Sequence, residues 1–217
     1  MVAERLSTAF LRDESLAHVC QARQMAVMVT DVVGFTTHIQ RLGDERAFQV
    51  FHHHDLVLRR SIHGHGGVCV NHTGDGFFSG FDSVRAATEC ALEIRRYVGE
   101  HDLLRFVQVR LRIALHVGKV LVAPERLFGL NAIVAFRLCA RTPGGEIYAS
   151  KAFSEHAEAV GYSFGQSKQL RLKGIATAEA ASPLLGSQVA RLPCTDAVAI
   201  APTPPRPLRD ASSHRIH

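Results

Sequence analysis

Short apolar runs alternate with longer amphipathic segments along this chain. The short runs predict strands and the amphipathic segments predict helices, because the two structures bury side chains with periods of 2 and 3.6 residues. The predicted strands cover residues 26–30, 68–70, 77–81, 106–116, 119–123 and 146–149. The predicted helices run from Asp44, as N-cap, to Gly64, from Asp82 or Ser83 to Tyr97, and from Gly129 to Arg141.

The order of these elements is β-α-β-β-α-β with additions. Asp75-Gly76 joins the second and third strands and is a typical hairpin turn. This order predicts an α+β fold of the ferredoxin-like βαββαβ kind, with a mainly antiparallel sheet and its helices on one face.

Residues 24–187 form the predicted domain. Residues 1–23 mix apolar and charged positions at helical spacing and predict an N-terminal helix. Residues 188–217 are rich in proline, serine and arginine and predict a flexible tail.

Composition fits one globular domain. The chain has 217 residues, of which 47% are hydrophobic and 21% charged. No apolar run approaches the roughly 18 residues of a membrane span, and residues 1–5 do not resemble a signal peptide. We therefore expect a cytoplasmic protein without a membrane partner. The five cysteines include no CxxC pair and are expected to be buried hydrophobes.

The net charge of +5 is compatible with a nucleic acid or with a small polyanion. No run of lysine and arginine interleaved with aromatic residues concentrates this charge, so we expect no nucleic-acid partner.

Two aspartates occupy positions where strands end. Asp31 follows the first strand, and Asp75 lies in the hairpin expected beside it. Mg²⁺ and Mn²⁺ take oxygen ligands, commonly one or two carboxylates completed by substrate phosphates, so this pair suits a metal-nucleotide site. Gly34-Phe35-Thr36 follows and presents backbone N–H groups suited to phosphate. Alternatively, Asp31 is a helix N-cap and Asp75 an ordinary turn residue.

The chain resembles class III nucleotide cyclases over roughly residues 25–185. Five short motifs carry the resemblance, and they occur in the family's order. They are Asp31–Thr36, Thr73–Phe77, Phe128–Gly129 with Val134–Leu138, Pro143–Ile147 and Leu172–Gly174.

The resemblance implies a homodimer with active sites at the subunit interface, a nucleoside triphosphate substrate and two Mn²⁺ or Mg²⁺ ions per site. Asp31, Val32 and Asp75 match the metal-binding positions. Arg137 and Lys173 match catalytic residues that stabilise charge and bind the triphosphate from the other subunit. A solvated helix cation and a surface turn are the alternatives for these two.

Three positions depart from the family's pattern. Adenylate cyclases place lysine and aspartate, and guanylate cyclases glutamate and cysteine, where this chain has Asn71 and Arg126. The family's transition-state asparagine corresponds to Ile133, a loss of one donor that costs on the order of 10²-fold in rate. The segment between Gly118 and Arg126 is also shorter than usual.

Intact metal positions beside an altered base pocket resemble the Pycsar pyrimidine cyclases. The resemblance implies synthesis of cyclic UMP, or less readily cyclic CMP, in bacterial antiphage defence, with the product acting on a separate effector. Arg126 donates hydrogen bonds only, which suits uracil carbonyls, whereas Asn71 suits either pyrimidine. The alternatives are a guanylate or broad-specificity cyclase and a catalytically degenerate nucleotide-binding regulatory domain.

Overall fold

The computed structural model describes residues 21–72, 75–123 and 126–187. Nine strands of these residues form one sheet, in the order β2-β3-β1-β4-β6-β9-β7, with β5 beside β4 and β8 beside β9. The strands are β1 (Gln21–Val32), β2 (Val68–His72), β3 (Phe77–Phe81), β4 (Leu111–Ala123), β5 (Arg126–Phe128), β6 (Ile147–Ser150), β7 (Tyr162–Phe164), β8 (Lys168–Leu170) and β9 (Glu179–Ser187). β4 and β6 pair in parallel and the other pairs are antiparallel, so the predicted α+β class is confirmed.

Helices cover both faces of the sheet, so the expectation of helices on one face was wrong. The helices are α1 (Phe35–Leu42), α2 (Asp44–Gly64), α3 (Val84–Glu100), α4 (Asp102–Phe106), α5 (Leu130–Cys139) and α6 (Lys151–Glu158). Ala26 and Met28 of β1 share one core with α2, α3 and α6, whereas Val27 and Val29 share the other with α5. Burial on both faces explains why this strand is a continuous apolar run.

Two predicted boundaries change. Residues 21–23, expected to end an N-terminal helix, begin β1, and residues 1–20 lie outside the described part of the chain. The predicted tail, residues 188–217, also lies outside it. Asp44 is the first residue of α2 and Gly43 the N-cap, so the predicted cap was one residue late.

The predicted strand over residues 106–116 begins five residues later. Phe106 ends α4, and Gln108 has a φ of 61°, a left-handed conformation that interrupts an extended strand. β4 then continues without a break through residues 119–123, which the sequence assigned to a separate strand.

Seven elements were not predicted: the helices α1, α4 and α6 and the strands β5, β7, β8 and β9. They are three to nine residues long, too short for their periodicity to be clear. None of the helices in the described ranges combines the length and apolar character that a bilayer crossing requires.

Candidate active site

The end of β1 and the β2–β3 hairpin bring Asp31 and Asp75 together. The backbone N–H of Val32 donates to the carbonyl of Asp75 over 3.2 Å. The N–H of Phe77 donates to the hydroxyl of Thr30 over 3.0 Å. These two bonds flank the aspartates and fix the hairpin turn against the strand that carries Asp31 and Val32.

Gly76 permits this close approach. A Cβ at this position would lie 1.9 Å from the carbonyl oxygen of Thr30 and 3.1 Å from Cα of Asp31. Any side chain here would therefore separate the two backbones that carry the carboxylates.

Arg112 is a site residue that the sequence analysis missed. It lies opposite Asp31 across the β1–β4 pair, and its Nε donates to Oδ2 of Asp31 over 2.6 Å. Both side chains are about a quarter to a third exposed, at 25% for Asp31 and 30% for Arg112. Only the strand register reveals this pair, because Asp31 and Arg112 are 81 residues apart. Asp31 is thus a strand residue with an ionic partner, and the helix-cap alternative was wrong because Gly34 caps α1.

The buried thiol of Cys139 on α5 lies within the field of both carboxylates. Burial, foremost, and then the charge of Asp31 raise the pKa of Cys139 to about 12, and the charge of Asp75 also raises it. Its Sγ donates to the carbonyl of Arg112 over 3.6 Å. The two carboxylates thus converge on one region of the molecule.

The donors fit a hard divalent cation that is completed by substrate. Among the described residues, no group of three or more His, Cys, Asp and Glu side chains is arranged to hold a metal ion. Two carboxylates at one end of neighbouring strands nevertheless match the way Mg²⁺ binds, with one or two protein carboxylates, waters and phosphate oxygens. Asp31, the backbone of Val32 and Asp75 are the residues that would hold it.

The N-terminus of α1 directly follows this carboxylate pair. Gly34 caps the helix with a φ of 70°, and no side chain accepts from the first turn. The first turn also contains no acidic residue, whereas α2 begins with Asp44 and Glu45. The free N–H groups at Phe35 and Thr36 and the helix dipole therefore favour a phosphate group.

The two proposed base-reading positions lie on strands with different partners, β2 paired with β3 and β5 paired with β4. Asn71 is in β2 and Arg126 begins β5. A cavity of about 100 Å³ is lined by Val70, next to Asn71, and by Arg126, with Met25 and Leu127 among its other walls. Arg126 therefore lines this cavity, whereas on β2 it is the neighbour of Asn71 that does, and base reading by the two residues together stays a prediction.

Arg137 and Lys173 lie on other elements than the carboxylates. Arg137 is in the last turn of α5, and Lys173 is in the turn between β8 and β9 that the buried Leu172 anchors. Both side chains are exposed. That they meet the carboxylates of a second chain stays a prediction.

Ile133, at the position of the family's asparagine, is 46% exposed on α5. Asn131 is close in sequence but does not replace it. Its Oδ1 accepts a hydrogen bond from Nε2 of His116 over 2.9 Å, and its Nδ2 donates to the carbonyl of Lys119 over 2.8 Å. His116 also bonds the hydroxyl of Ser150 at 2.7 Å, and burial lowers its pKa. This network holds the start of α5 against β4.

Curated relatives match part of the chain. No protein-family model matches the sequence. The Serine/threonine-protein kinase pkn2 of Myxococcus xanthus is 28% identical over 115 residues, which is 52% of this chain and 14% of that protein. "Putative adenylate cyclase 3" of Rhizobium meliloti is 28% identical over 136 residues, or 62% of this chain and 23% of that protein. The chain thus spans less than a quarter of the length of these two relatives.

Solved structures match most of the domain. The adenylyl cyclase CyaB from P. aeruginosa has a TM-score of 0.69 at 19% identity and covers 78% of this chain and 97% of its own. The guanylyl cyclase Cya2 has a TM-score of 0.70 at 20% identity, with coverages of 78% and 95%. The Adenylate/Guanylate Cyclase/Hydrolase from Silicibacter pomeroyi has a TM-score of 0.65 at 26% identity, with coverages of 76% and 98%. The described domain therefore has the fold of class III adenylyl and guanylyl cyclase catalytic domains.

Proposed function

We propose that this protein is a nucleotide cyclase that converts UTP, and less readily CTP, into the 3′,5′-cyclic monophosphate and pyrophosphate. The observation that carries the proposal is the convergence of Asp31 and Asp75 beside the N-terminus of α1, where Gly34 supplies no side-chain cap, on a cyclase fold. Carboxylates for a divalent cation and free N–H groups for phosphate are the two requirements of a triphosphate site.

In this proposal, each of the site residues has its own role in the reaction. Asp31, Val32 and Asp75 would hold two divalent cations, whose positive charge would stabilise the phosphates and favour release of the 3′-hydroxyl proton to solvent. The N-terminus of α1 binds phosphate oxygens. The 3′-oxygen forms a bond to the α-phosphorus, the bond from that phosphorus to the bridging oxygen breaks, and pyrophosphate leaves. Arg137 and Lys173 stabilise the developing negative charge and the triphosphate.

A homodimer completes the site in this proposal. Arg137 and Lys173 are exposed on elements other than those of the carboxylates, as cations that serve a second subunit need to be. The adjacent surface is apolar: Phe128, Leu130 and Ile133 are 61%, 63% and 46% exposed. Contiguous exposed apolar residues of this kind favour a protein interface.

The base preference rests on Arg126 and Asn71. Neither the lysine and aspartate of adenylate cyclases nor the glutamate and cysteine of guanylate cyclases is present at these positions. Arg126 lines a cavity of only about 100 Å³, and its guanidinium donates to carbonyl acceptors such as those of uracil. A donor-only side chain at this position favours uracil, which offers two carbonyl acceptors.

Ile133 favours a second candidate, a nucleotide-binding regulatory domain without turnover. The only nearby asparagine on α5 within the described residues, Asn131, is committed to His116 and Lys119, so the missing donor is not replaced from that side chain. The presence of both Asp31 and Asp75 opposes this candidate, because a site without turnover has no need of two carboxylate ligands for divalent cations.

Incubation of the purified protein with ATP, GTP, CTP and UTP separately, with Mn²⁺, distinguishes these functions by chromatography of the products. We expect cyclic UMP as the main product, with less cyclic CMP. Product from ATP or GTP alone contradicts the pyrimidine preference. Nucleotide binding without product from any triphosphate supports the regulatory domain instead.

Two matched pairs of variants assign the result to the site. Asp75→Asn removes a metal ligand and is expected to abolish turnover, whereas Asp102→Asn, in the first turn of α4, is expected to leave it unchanged. Arg126→Ala is expected to reduce the ratio of UTP to GTP turnover, whereas Arg60→Ala on the exposed face of α2 is not. Equal effects within either pair contradict the assigned role.

A place in antiphage defence and a separate effector for the cyclic product stay predictions that rest on the Pycsar resemblance.

A further inference from the structure

A second, larger cavity lies between α1 and α2, on the opposite face of the sheet from α5. Its volume is about 360 Å³, within the range of small-molecule sites. Three aromatic side chains line it, Phe35, Phe48 and Phe51, together with Asp44, His52 and Asp55.

The aromatic walls are arranged around an opening. Phe35 and Phe51 meet edge to face, with ring centroids 4.6 Å apart and an interplanar angle of 67°. Phe48 is 68% exposed and stacks on the ring of His52 at 5.4 Å and 15°. A large apolar side chain left this exposed beside a cavity is stabilised when a ligand covers it.

The polar groups of the cavity favour a cation. Asp44 and Asp55 contribute carboxylates, and none of the side chains that line the cavity is a lysine or an arginine. Aromatic faces also attract cations through their quadrupole. A nucleotide or another anion is thus disfavoured here, in contrast to the site at Asp31 and Asp75.

We propose that the α1–α2 cavity binds a small organic cation, an ammonium group carried on an apolar or aromatic body. The body fills the space between Phe35, Phe48 and Phe51, and the ammonium group lies beside Asp44, one helical turn before Phe48.

Occupation of this cavity also affects the loop that precedes α1, a consequence that rests on the proposed function. Phe35 is both a wall of the cavity and the residue after Gly34. α1 has no fully buried residue, and its contacts include the Phe35–Phe51 pair and a bond from Nη2 of Arg41 to the carbonyl of Val107. A ligand that bridges α1 and α2 therefore favours one position of α1 and of the phosphate-binding turn.

Three naphthalene compounds of one size test the chemistry: 1-naphthylmethylamine, 1-naphthalenemethanol and 1-naphthylacetic acid, titrated calorimetrically at pH 7 into the full chain without nucleotide. We expect the amine to bind at least about tenfold more tightly than the other two, from one cation–π contact and one partly exposed ion pair. Equal affinity for all three, tighter binding of the acid or alcohol, or no binding by the amine overturns the proposal.

Variants locate the bound amine. Phe48→Ala and Asp44→Asn are each expected to weaken the amine by about threefold or more. Phe106→Ala removes an 85% exposed phenylalanine outside the cavity and is the matched control, with unchanged affinity expected. Equal affinity of the Phe48→Ala and Asp44→Asn variants and the wild type places the amine elsewhere and overturns the assignment.

The experiments can refute the cavity proposal and the proposed cyclase function independently of each other. Amine binding without cyclic product from any triphosphate retains the cavity and rejects the cyclase. Cyclic product without amine binding retains the proposed cyclase function and rejects the cavity proposal. If both hold, the amine is expected to change kcat for cyclic product in the wild type and to lose that effect in Phe48→Ala.

Discussion

Gly76→Ala tests whether the close approach of the hairpin to β1 forms the site. The added Cβ would lie 1.9 Å from the carbonyl oxygen of Thr30, whereas an ordinary contact needs roughly 3.5 Å. The hairpin and β1 must therefore move apart by more than about 1 Å. The atoms that clash are backbone atoms, so no side-chain rotation relieves the contact.

The expected cost follows from this overlap. Overpacking of a closely packed site costs about 1–3 kcal/mol, and a backbone clash belongs at the upper end. For a protein of this size, about 3 kcal/mol lowers Tm by roughly 6–12 °C. A displacement of about 1 Å between Asp31 and Asp75 is expected to reduce cyclase turnover by about 10²-fold.

Thermal unfolding followed by circular dichroism measures the first effect, and product formation with UTP and Mn²⁺ measures the second. Gly99→Ala is the matched control, because a Cβ there meets nothing within 4 Å and alanine favours helix α3 by at most about 1 kcal/mol. A Tm of Gly76→Ala within about 1 °C of the wild type refutes the steric argument. A lowered Tm with full activity in the cold refutes only the link to the site.

Two further predictions concern titratable groups. Burial lowers the pKa of His116 below its ordinary value, so the unfolded chain binds a proton near pH 6.5 that the folded chain excludes, and stability is lost as pH falls below about 6.5. His116→Gln is expected to make the decrease in urea-unfolding free energy between pH 7 and 5 shallower, by at most about 1.4 kcal/mol per pH unit; an unchanged slope contradicts this. Burial raises the pKa values of Cys90 and Cys139 to about 12, so both thiols are expected to resist iodoacetamide at pH 8 until urea unfolds the protein. Peptide mass spectrometry reads the result, and rapid modification of either thiol in the folded protein contradicts it.

Hydrophobic periodicity predicted the long elements because each of them buries side chains with its own local repeat. The β2–β3 hairpin and the strand at residues 77–81 are confirmed, as the Asp75-Gly76 turn indicated. The same reasoning failed over residues 106–110, where apolar spacing continues but the backbone turns at Gln108. Periodicity reports which side chains are buried, and it does not report the backbone conformation that buries them.

The residues of the candidate site also differ in whether the sequence could predict them. Asp31 and Asp75 could be selected from sequence because each follows or precedes a recognisable strand. Arg112 could not, because its role depends on the register that places it opposite Asp31. The hydrogen bond between Asn131 and His116 likewise depends on the packing of α5 against β4.

The sequence by itself therefore determined the order of the long elements, the carboxylate positions and the departures at Asn71, Arg126 and Ile133. Only the tertiary structure decided that helices cover both faces, that Arg112 pairs with Asp31 and that a cavity opens between α1 and α2. The physical reason is the separation along the sequence between the residues that interact. Turn chemistry and hydrophobic repeats act between residues a few positions apart, whereas register, ion pairs across strands and cavities between helices depend on contacts between distant parts of the chain.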